Sequence, residues 1–191
     1  IAAPGGNVFS AIPNGAYEQT SGTSMATPQM AGISAIVLQR VQSDPLFASM
    51  SAREKVDVVQ NLIMGTARPL TDAAQTSGAL YSPRKQGAGL VDALAATTSS
   101  VYPTVVGAPE QSRPKADLGD GSKGWHFDVT LHNLGAAPAT YELSSQALSE
   151  NVDGGYFTGS STDWRGRGVE IRYSGAASAA AEGATVTVPA G

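Results

Sequence analysis

Hydrophobic and polar positions change their spacing along the chain, and this change divides the sequence into two parts. Between Ser24 and about Gln42, apolar residues recur at spacings of three and four, at Met30, Ile33, Val37 and Val41. The opposite side of this predicted helix carries small and apolar residues instead of charges. Because a helix that is apolar nearly all round belongs in a protein interior, we expect this one to be covered.

Further helices and a short strand are predicted before residue 100. Residues 51–54 read Ser-Ala-Arg-Glu, a capping box that begins an amphipathic helix ending near Gly65. The apolar face of this helix is formed by Val56, Val59, Leu62 and Ile63. Residues 81–96 predict a loop leading into a short helix. Near the start of the chain, residues 8–12 predict a strand between two turns, at residues 4–7 and 13–15.

After about Ser100 the helical spacing stops, and short alternating runs appear between turn clusters such as residues 117–121 and 153–155. This pattern is typical of an antiparallel sandwich. The candidate strands are residues 101–106, 125–133, 139–145, 168–174 and 184–190. Since an immunoglobulin-like domain has about seven strands, we expect an incomplete sandwich. We place a domain boundary near Ser100 and a solvent loop at residues 176–181.

Composition excludes several classes of function. The chain has 191 residues, is 41% hydrophobic and carries a net charge of −4. No basic stripe is present, so we do not expect nucleic acid as a partner. The absence of cysteine removes disulfides, thiolate nucleophiles and cysteine-ligated zinc. No apolar run approaches the roughly 20 residues of a membrane-spanning helix, so no span is expected.

Ser24 stands directly before the most apolar predicted helix, and two interpretations are open. Serine is a good helix cap, which would explain its position without any chemistry. A serine at a helix start also suits nucleophilic catalysis, because free backbone N–H groups and the helix dipole favour a developing oxyanion. Gly22 has no side chain, so a substrate backbone could approach closely.

Two other clusters have simpler explanations than a binding site. Gly87 and Gly89 suggest a phosphate cradle, but the third glycine, the preceding strand and the distant acidic residue of that fingerprint are missing. His126, Asp128 and His132 share one face of a predicted strand because side chains alternate along it. We interpret this set as a polar, solvent-facing sheet surface in preference to a metal site.

Three segments together resemble subtilisin-like serine proteases. The stretch GTSMATPQMAG, residues 22–32, closely resembles the nucleophile segment of that family, and IAAPG, residues 1–5, resembles its Ala-Pro-Gly turn. Residues 87–93, GAGLVDA, resemble its closing Gly-x-Gly-x-Val-Asp-Ala segment. The longer stretch 81–93 is similar to the large cell-envelope subtilases of Gram-positive bacteria, whose protease domain is followed by fibronectin type III-like domains.

The resemblance implies a fold and a function. Residues 1–100 would form the carboxy-terminal part of a three-layer α/β protease domain, and residues 101–191 an incomplete fibronectin type III-like sandwich. Ser24 would be the nucleophile of a secreted or cell-surface endopeptidase, with Gly22, Thr23 and Met25 beside a protein or peptide substrate. No cofactor is required for such catalysis, and the resemblance leaves calcium open.

The sequence departs from the family in the order of its triad. Subtilases run Asp, His, Ser, whereas His126 and His132 follow Ser24 here. We therefore expect the catalytic Asp and His upstream of Ile1, and this chain alone to be inactive. The alternative is a non-catalytic binding or spacer module attached to a degenerate protease remnant. The upstream precursor or a second copy would cover the first helix, unless the second helix folds over it.

Overall fold

The computed structural model describes residues 1–73, 78–106, 113–116, 118–119, 124–173 and 183–191. In these ranges the helices are α1 (Thr23–Ser43), α2 (Ala52–Gly65), α3 (Pro83–Gln86) and α4 (Ala93–Thr98). The strands are β1 (Val8–Ile12), β2 (Ala16–Thr20), β3 (Val101–Val106), β4 (Asp128–Asn133), β5 (Ala139–Glu142), β6 (Leu148–Asp153), β7 (Tyr156–Asp163) and β8 (Thr185–Val188). The predicted turn cluster at 117–121 is described only at residues 118–119, and the predicted loop at 176–181 lies outside the described residues.

The chain begins with a hairpin that leads to Ser24. Strands β1 and β2 pair antiparallel, with Val8 opposite Thr20 and Ile12 opposite Ala16. A short 3-10 turn, Pro13–Gly15, connects them, and Asn14 and Gly15 both have positive φ. Strand β1 and this turn were predicted, whereas β2 was not. Two residues separate the end of the hairpin from the start of α1.

Helix α1 confirms the longest sequence prediction, and it packs on the helices that follow it. Val37 and Val41 are fully buried, and Phe47 covers them from the short 3-10 turn after the helix. Leu62 of α2 and Ala96 of α4 complete the same cluster. One face of α1 is therefore covered by α2 and α4.

The other face of α1 is exposed. Ala31, Gly32, Ala35 and Ile36 lie on it, and Ile36 keeps 56% of its surface in contact with solvent. The described residues of this chain thus cover only part of a helix that is apolar on both faces.

Helix α2 confirms the predicted capping box. The Ser51 hydroxyl accepts the Glu54 amide at 3.3 Å, and the Glu54 carboxylate accepts the Ser51 amide at 2.7 Å. Hydrogen bonds to this carboxylate from the Ser51 side chain and from the Ser51 backbone amide lower the pKa of Glu54. The predicted apolar face was wrong at one residue, because Val56 is exposed and Val58 is buried in its place.

The β region pairs differently from the expected strand list. Its described strands form two-stranded antiparallel sheets, in the pairs β3–β4, β5–β8 and β6–β7. The β6–β7 hairpin was not predicted, although its Gly154-Gly155 turn was recognised. The strand predicted at residues 168–174 was wrong: residues 168–173 contain only an isolated bridge between Val169 and Arg165. Of the other four predicted strands, β3 has the predicted bounds, and β4, β5 and β8 are present with shorter bounds.

Strand β3 joins the two parts of the molecule. Its Tyr102 is buried in the same cluster as the α1 and α2 side chains, and burial raises the pKa of this phenol. Gly65 ends α2 against Pro103, where an added Cβ would overlap the proline ring. The Arg40 guanidinium donates to the Ser99 carbonyl at 2.7 Å, immediately before the strand. Packing therefore continues across the boundary placed near Ser100.

Candidate active site

Ser24 occupies the second position of α1, and its side chain faces solvent. Gly22 is the N-cap residue and supplies no side-chain capping bond, so the interpretation of Ser24 as the cap was wrong. Within the described part of the chain, neither the hydroxyl nor the backbone N–H of Ser24 has a hydrogen-bond partner. An exposed hydroxyl and an open N–H at the positive end of a helix are suited to nucleophilic attack and to oxyanion binding.

The two residues beside Ser24 are fixed by the first turn of the helix. Thr23 is the first helical residue, and its carbonyl accepts the Thr27 hydroxyl at 2.8 Å. Met25 is half-buried, and its amide donates to the Gly22 carbonyl at 3.1 Å. Both positions belong to a rigid turn, so the open donors at Ser24 are held in a fixed direction. Their contact with a substrate stays a prediction.

The turn at residues 2–5 supports the nucleophile from behind. The Gly22 amide donates to the Gly5 carbonyl at 2.8 Å. A Cβ on Gly5 would overlap the Gly22 carbonyl oxygen and touch Ala26, so the two backbones approach more closely than other residues allow. The glycine that resembled part of a family motif thus has a steric reason to be there.

A second support was missed by the sequence reasoning. The Asn7 amide donates to the Ser21 hydroxyl at 2.8 Å, which ties the start of the β1–β2 hairpin to the residue before Gly22. Asn7 has a φ of 53°, a left-handed conformation that asparagine tolerates. The turn signal at residues 4–7 was visible in the sequence, but its partner fourteen residues away was not.

The third motif lies beside the first. Leu90 forms a parallel bridge with Ala2 and an antiparallel bridge with Arg68, and the Ala2 amide donates to the Gly89 carbonyl at 2.8 Å. Gly87 has a φ of 62° and lies against the backbone of Ile1. The three resembling segments are therefore one connected structure, and Gly87 and Gly89 serve backbone packing in it.

The two histidines lie elsewhere in the structure. His132 stacks on Tyr102 with ring centroids 4.8 Å apart and bonds to the Thr104 hydroxyl at 2.8 Å. It is half-buried, so the expectation that both histidines lie on a solvent-facing surface was wrong for this residue. His126 is exposed, 3.5 Å from Asp128. Across the described ranges, no group of three or more histidine and acidic side chains is arranged to hold a metal ion.

Comparison with known proteins agrees with this arrangement. Residues 1–89 match the model of the subtilase family, Peptidase S8, and this range includes both the support at residues 2–5 and Ser24. Over these residues the chain is homologous to the subtilase family.

Two groups of relatives match a longer part of the chain. A C5a peptidase from Streptococcus pyogenes is 32% identical over 157 residues, which is 82% of this chain and 13% of that protein. The PII-type and PI-type proteinases of Lactococcus lactis subsp. cremoris are each 34% identical over 198 aligned positions, covering 100% of this chain and 10% of each relative. The chain thus spans little more than a tenth of these relatives. No helix in the described residues is long and apolar enough to cross a membrane.

Proposed function

We propose that this chain is part of a serine endopeptidase in which Ser24 is the nucleophile. The observation that carries the proposal is the exposed Ser24 hydroxyl, unbonded within the described residues, at an open helix N-terminus and inside a segment that matches the subtilase family. Thr27 in the same turn instead bonds its hydroxyl to the Thr23 carbonyl at 2.8 Å.

The proposed reaction is acyl transfer through Ser24. The Ser24 hydroxyl oxygen attacks the scissile carbonyl and gives its proton to a histidine, which an aspartate orients. The carbonyl oxygen becomes an oxyanion, which the free N–H of Ser24 would stabilise at the helix start. The peptide C–N bond then breaks, the histidine gives its proton to the leaving amine, and water hydrolyses the acyl-Ser24 ester. Gly22, Thr23 and Met25 would flank the substrate, since they surround this N–H. The substrate class is protein or peptide.

The base and the orienting acid belong to a longer parent protein in this proposal. Residues 1–23 contain no histidine and no aspartate, and the two histidines of the chain lie in or beside β4. Relatives of which this chain spans 13% and 10% have ample length for both groups. We expect the chain alone to be inactive, because removing triad members leaves little beyond oxyanion stabilisation.

The rest of the architecture follows from the same relatives. We propose that residues 1–100 complete a protease domain and that residues 101–191 form part of a fibronectin type III-like sandwich. The antiparallel pairs of the β region support this, as does an alignment to the lactococcal proteinases that runs through the whole chain. The relatives come from Streptococcus and Lactococcus, which supports a Gram-positive source. The resemblance of residues 81–93 to cell-envelope subtilases is the reason to propose a secreted or cell-surface protein.

The exposed face of α1 needs a partner in this proposal. Leaving a large apolar side chain such as Ile36 in water forgoes on the order of 1.5–3 kcal/mol. The proposed cover is another segment of the same precursor, with a second copy of the chain as the alternative. Light scattering on this chain alone would distinguish a monomer from a dimer.

The proposal is tested by labelling the full-length parent with a fluorophosphonate and locating the modified residue by mass spectrometry. Ser24 should be labelled, and Ser24→Ala should lower kcat by about 10⁶-fold. Ser43→Ala, at the other end of the same helix, is the matched control and should retain activity. If the parent is labelled elsewhere or not at all, the chain is instead a binding or spacer module.

A further inference from the structure

A buried polar junction connects the chain after α2 to the β6–β7 hairpin. Asp72 is only 1% exposed, and its Oδ2 accepts a hydrogen bond from the Ser161 amide at 3.0 Å. The Ser161 hydroxyl donates to the Leu80 carbonyl, and the Leu80 amide donates to the Gln146 side chain at 2.9 Å. Since Ser161 is also 1% exposed, the β region is held here by enclosed hydrogen bonds.

The segment that receives the hairpin consists of residues 68–73 and 78–86, which we name the docking loop. Its two arms are paired: the Asp72 amide donates to the Ala79 carbonyl at 2.8 Å, and the Tyr81 amide to the Leu70 carbonyl at 2.9 Å. Buried Gln86 bonds both arms, accepting the Leu70 amide at 2.7 Å and donating to the Tyr81 carbonyl at 2.5 Å. A displacement of Asp72 would therefore move both arms.

The docking loop continues into the support of the nucleophile. Arg68 and Leu90 exchange two backbone hydrogen bonds of 2.8 Å, and Leu90 lies between Arg68 and Ala2. Gly89 is packed on the Arg68 backbone so closely that a Cβ would overlap it. Three residues beyond Ala2, the Gly5 carbonyl holds the Gly22 amide. Backbone contacts thus run without a gap from Asp72 to the start of α1.

We propose that Asp72 is a positioning residue for Ser24, and that the β6–β7 hairpin acts through it to hold the nucleophile turn in place. This inference rests on the proposed function, because positioning matters only if Ser24 reacts. Reaction rates depend steeply on the placement of the attacking group, and the segments behind the exposed start of α1 contact it directly through the Gly5–Gly22 hydrogen bond. The hairpin then contributes to the protease unit as well as to the β region of residues 101–191.

We assign this role to Asp72, and not to the charged groups around it, because the junction that contains Asp72 is buried. Arg84 and Glu150 form an outer ion pair at 3.7 Å, with the arginine 75% exposed, and such pairs contribute little. A buried carboxylate cannot exchange its partner for water at low cost, so removing it leaves the Ser161 amide unsatisfied. The inner bond therefore fixes one relative position of loop and hairpin.

The first experiment measures amide hydrogen exchange in the full-length parent and does not depend on activity. In Asp72→Ala we expect faster exchange in residues 1–5 and 20–24, with exchange in α2 unchanged. Ser161→Ala, which keeps the backbone N–H, should give a smaller change in the same peptides. The inference is overturned if exchange rises only in the docking loop and hairpin, or if α2 opens to the same extent.

The second experiment measures kcat, KM and the rate of Ser24 labelling at temperatures where every variant is folded. Asp72→Ala should lower kcat and the labelling rate by about tenfold with KM little changed, within the range of positional effects. Asp72→Asn, whose amide oxygen can still accept the Ser161 amide, should recover part of the loss. Asp57→Ala, which removes a carboxylate paired with Arg53 on α2, is the control and should behave as wild type.

The two proposals fail in different ways. A wild-type parent that is not labelled at Ser24 contradicts the proposed function, whatever the exchange data show. Labelling at Ser24 with equal rates in wild type and Asp72→Ala overturns the positioning role and leaves the proposed function intact.

Discussion

The helical part and the β part of this chain differ in how far their large apolar side chains are buried. Before residue 100, one set of large apolar residues forms a cluster around Val37, Val41 and Leu62, which are all fully buried, although others such as Phe9 and Ile36 stay exposed. After β3, aromatic residues point outward: Trp125 and Phe127 are 58% and 49% exposed, and Tyr156 is 81% exposed. One part is held by its own core, and the other by strand pairing and by the junction at Asp72.

This difference explains where the candidate chemistry lies. Ser24 needs a fixed direction, and the helix that carries it is anchored by the buried end at Val37 and Val41. The β region supplies no comparable core in the described residues, so its influence on the site must pass through specific polar contacts. Of these, the Asp72–Ser161 bond is the most deeply buried.

The largest expected effect is the loss of stability when a core side chain is truncated, and it tests whether the core is confined to the helical part. Leu62→Ala should destabilise the chain by about 3 kcal/mol, because a fully buried leucine leaves a cavity when truncated. Phe127→Ala, at a half-exposed position beside β4, should cost about 0.5 kcal/mol or less. Urea denaturation followed by circular dichroism measures both. Equal losses in the two variants would show that the β region has a core of its own.

The next largest expected effect is a loss of stability in the turn that contacts the nucleophile segment. Two adjacent glycines in this turn provide a matched pair of variants. Gly5→Ala should cost about 2 kcal/mol, because the new Cβ would overlap the Gly22 carbonyl and force the backbones apart. Gly6→Ala should be nearly neutral, since nothing lies within 4 Å of its added Cβ. Thermal unfolding compares the two, and Ser24 labelling in the parent should slow only in Gly5→Ala. Similar behaviour of both variants would contradict the steric role of Gly5.

The elements that the sequence predicted correctly depend on local signals. Helix α2 begins at a capping box whose two hydrogen bonds join residues three apart, and α1 shows its apolar spacing over several turns. Ser24 and its neighbours were found because a nucleophile segment is a continuous string of residues. Such features are complete within a short window and do not depend on the rest of the fold.

The features that were missed depend on partners distant in sequence. Leu90 pairs with Ala2 across 88 positions, and Asp72 bonds Ser161 across 89, so no local pattern indicates either contact. Residues 168–173 alternate as a strand should, yet alternation alone does not provide a neighbouring strand. His132 shows the same limit, because the packing of β3 on α2 decides which face of the strand is covered.

The smallest expected effect is a change of folding stability with pH, and it tests whether polar contacts stabilise the β region. Burial raises the pKa of Asp163, but hydrogen bonds from Arg165 and the Ala147 amide outweigh it and place this pKa below the usual 3.8. A carboxyl whose folded pKa is lowered contributes stability above its unfolded pKa and loses it as pH falls through the folded value.

Asp163→Asn should therefore be less stable than wild type at pH 7, and the difference should shrink as the pH is lowered through and below 3.8. The Arg165 Nε donates to the carboxylate at 2.8 Å, so part of the pH 7 difference should also be screened by salt. Urea denaturation at pH 7 and near pH 3, monitored by the fluorescence of neighbouring Trp164, makes the comparison. If wild type and variant lose stability in parallel across this range, the Asp163 contacts do not stabilise the hairpin end.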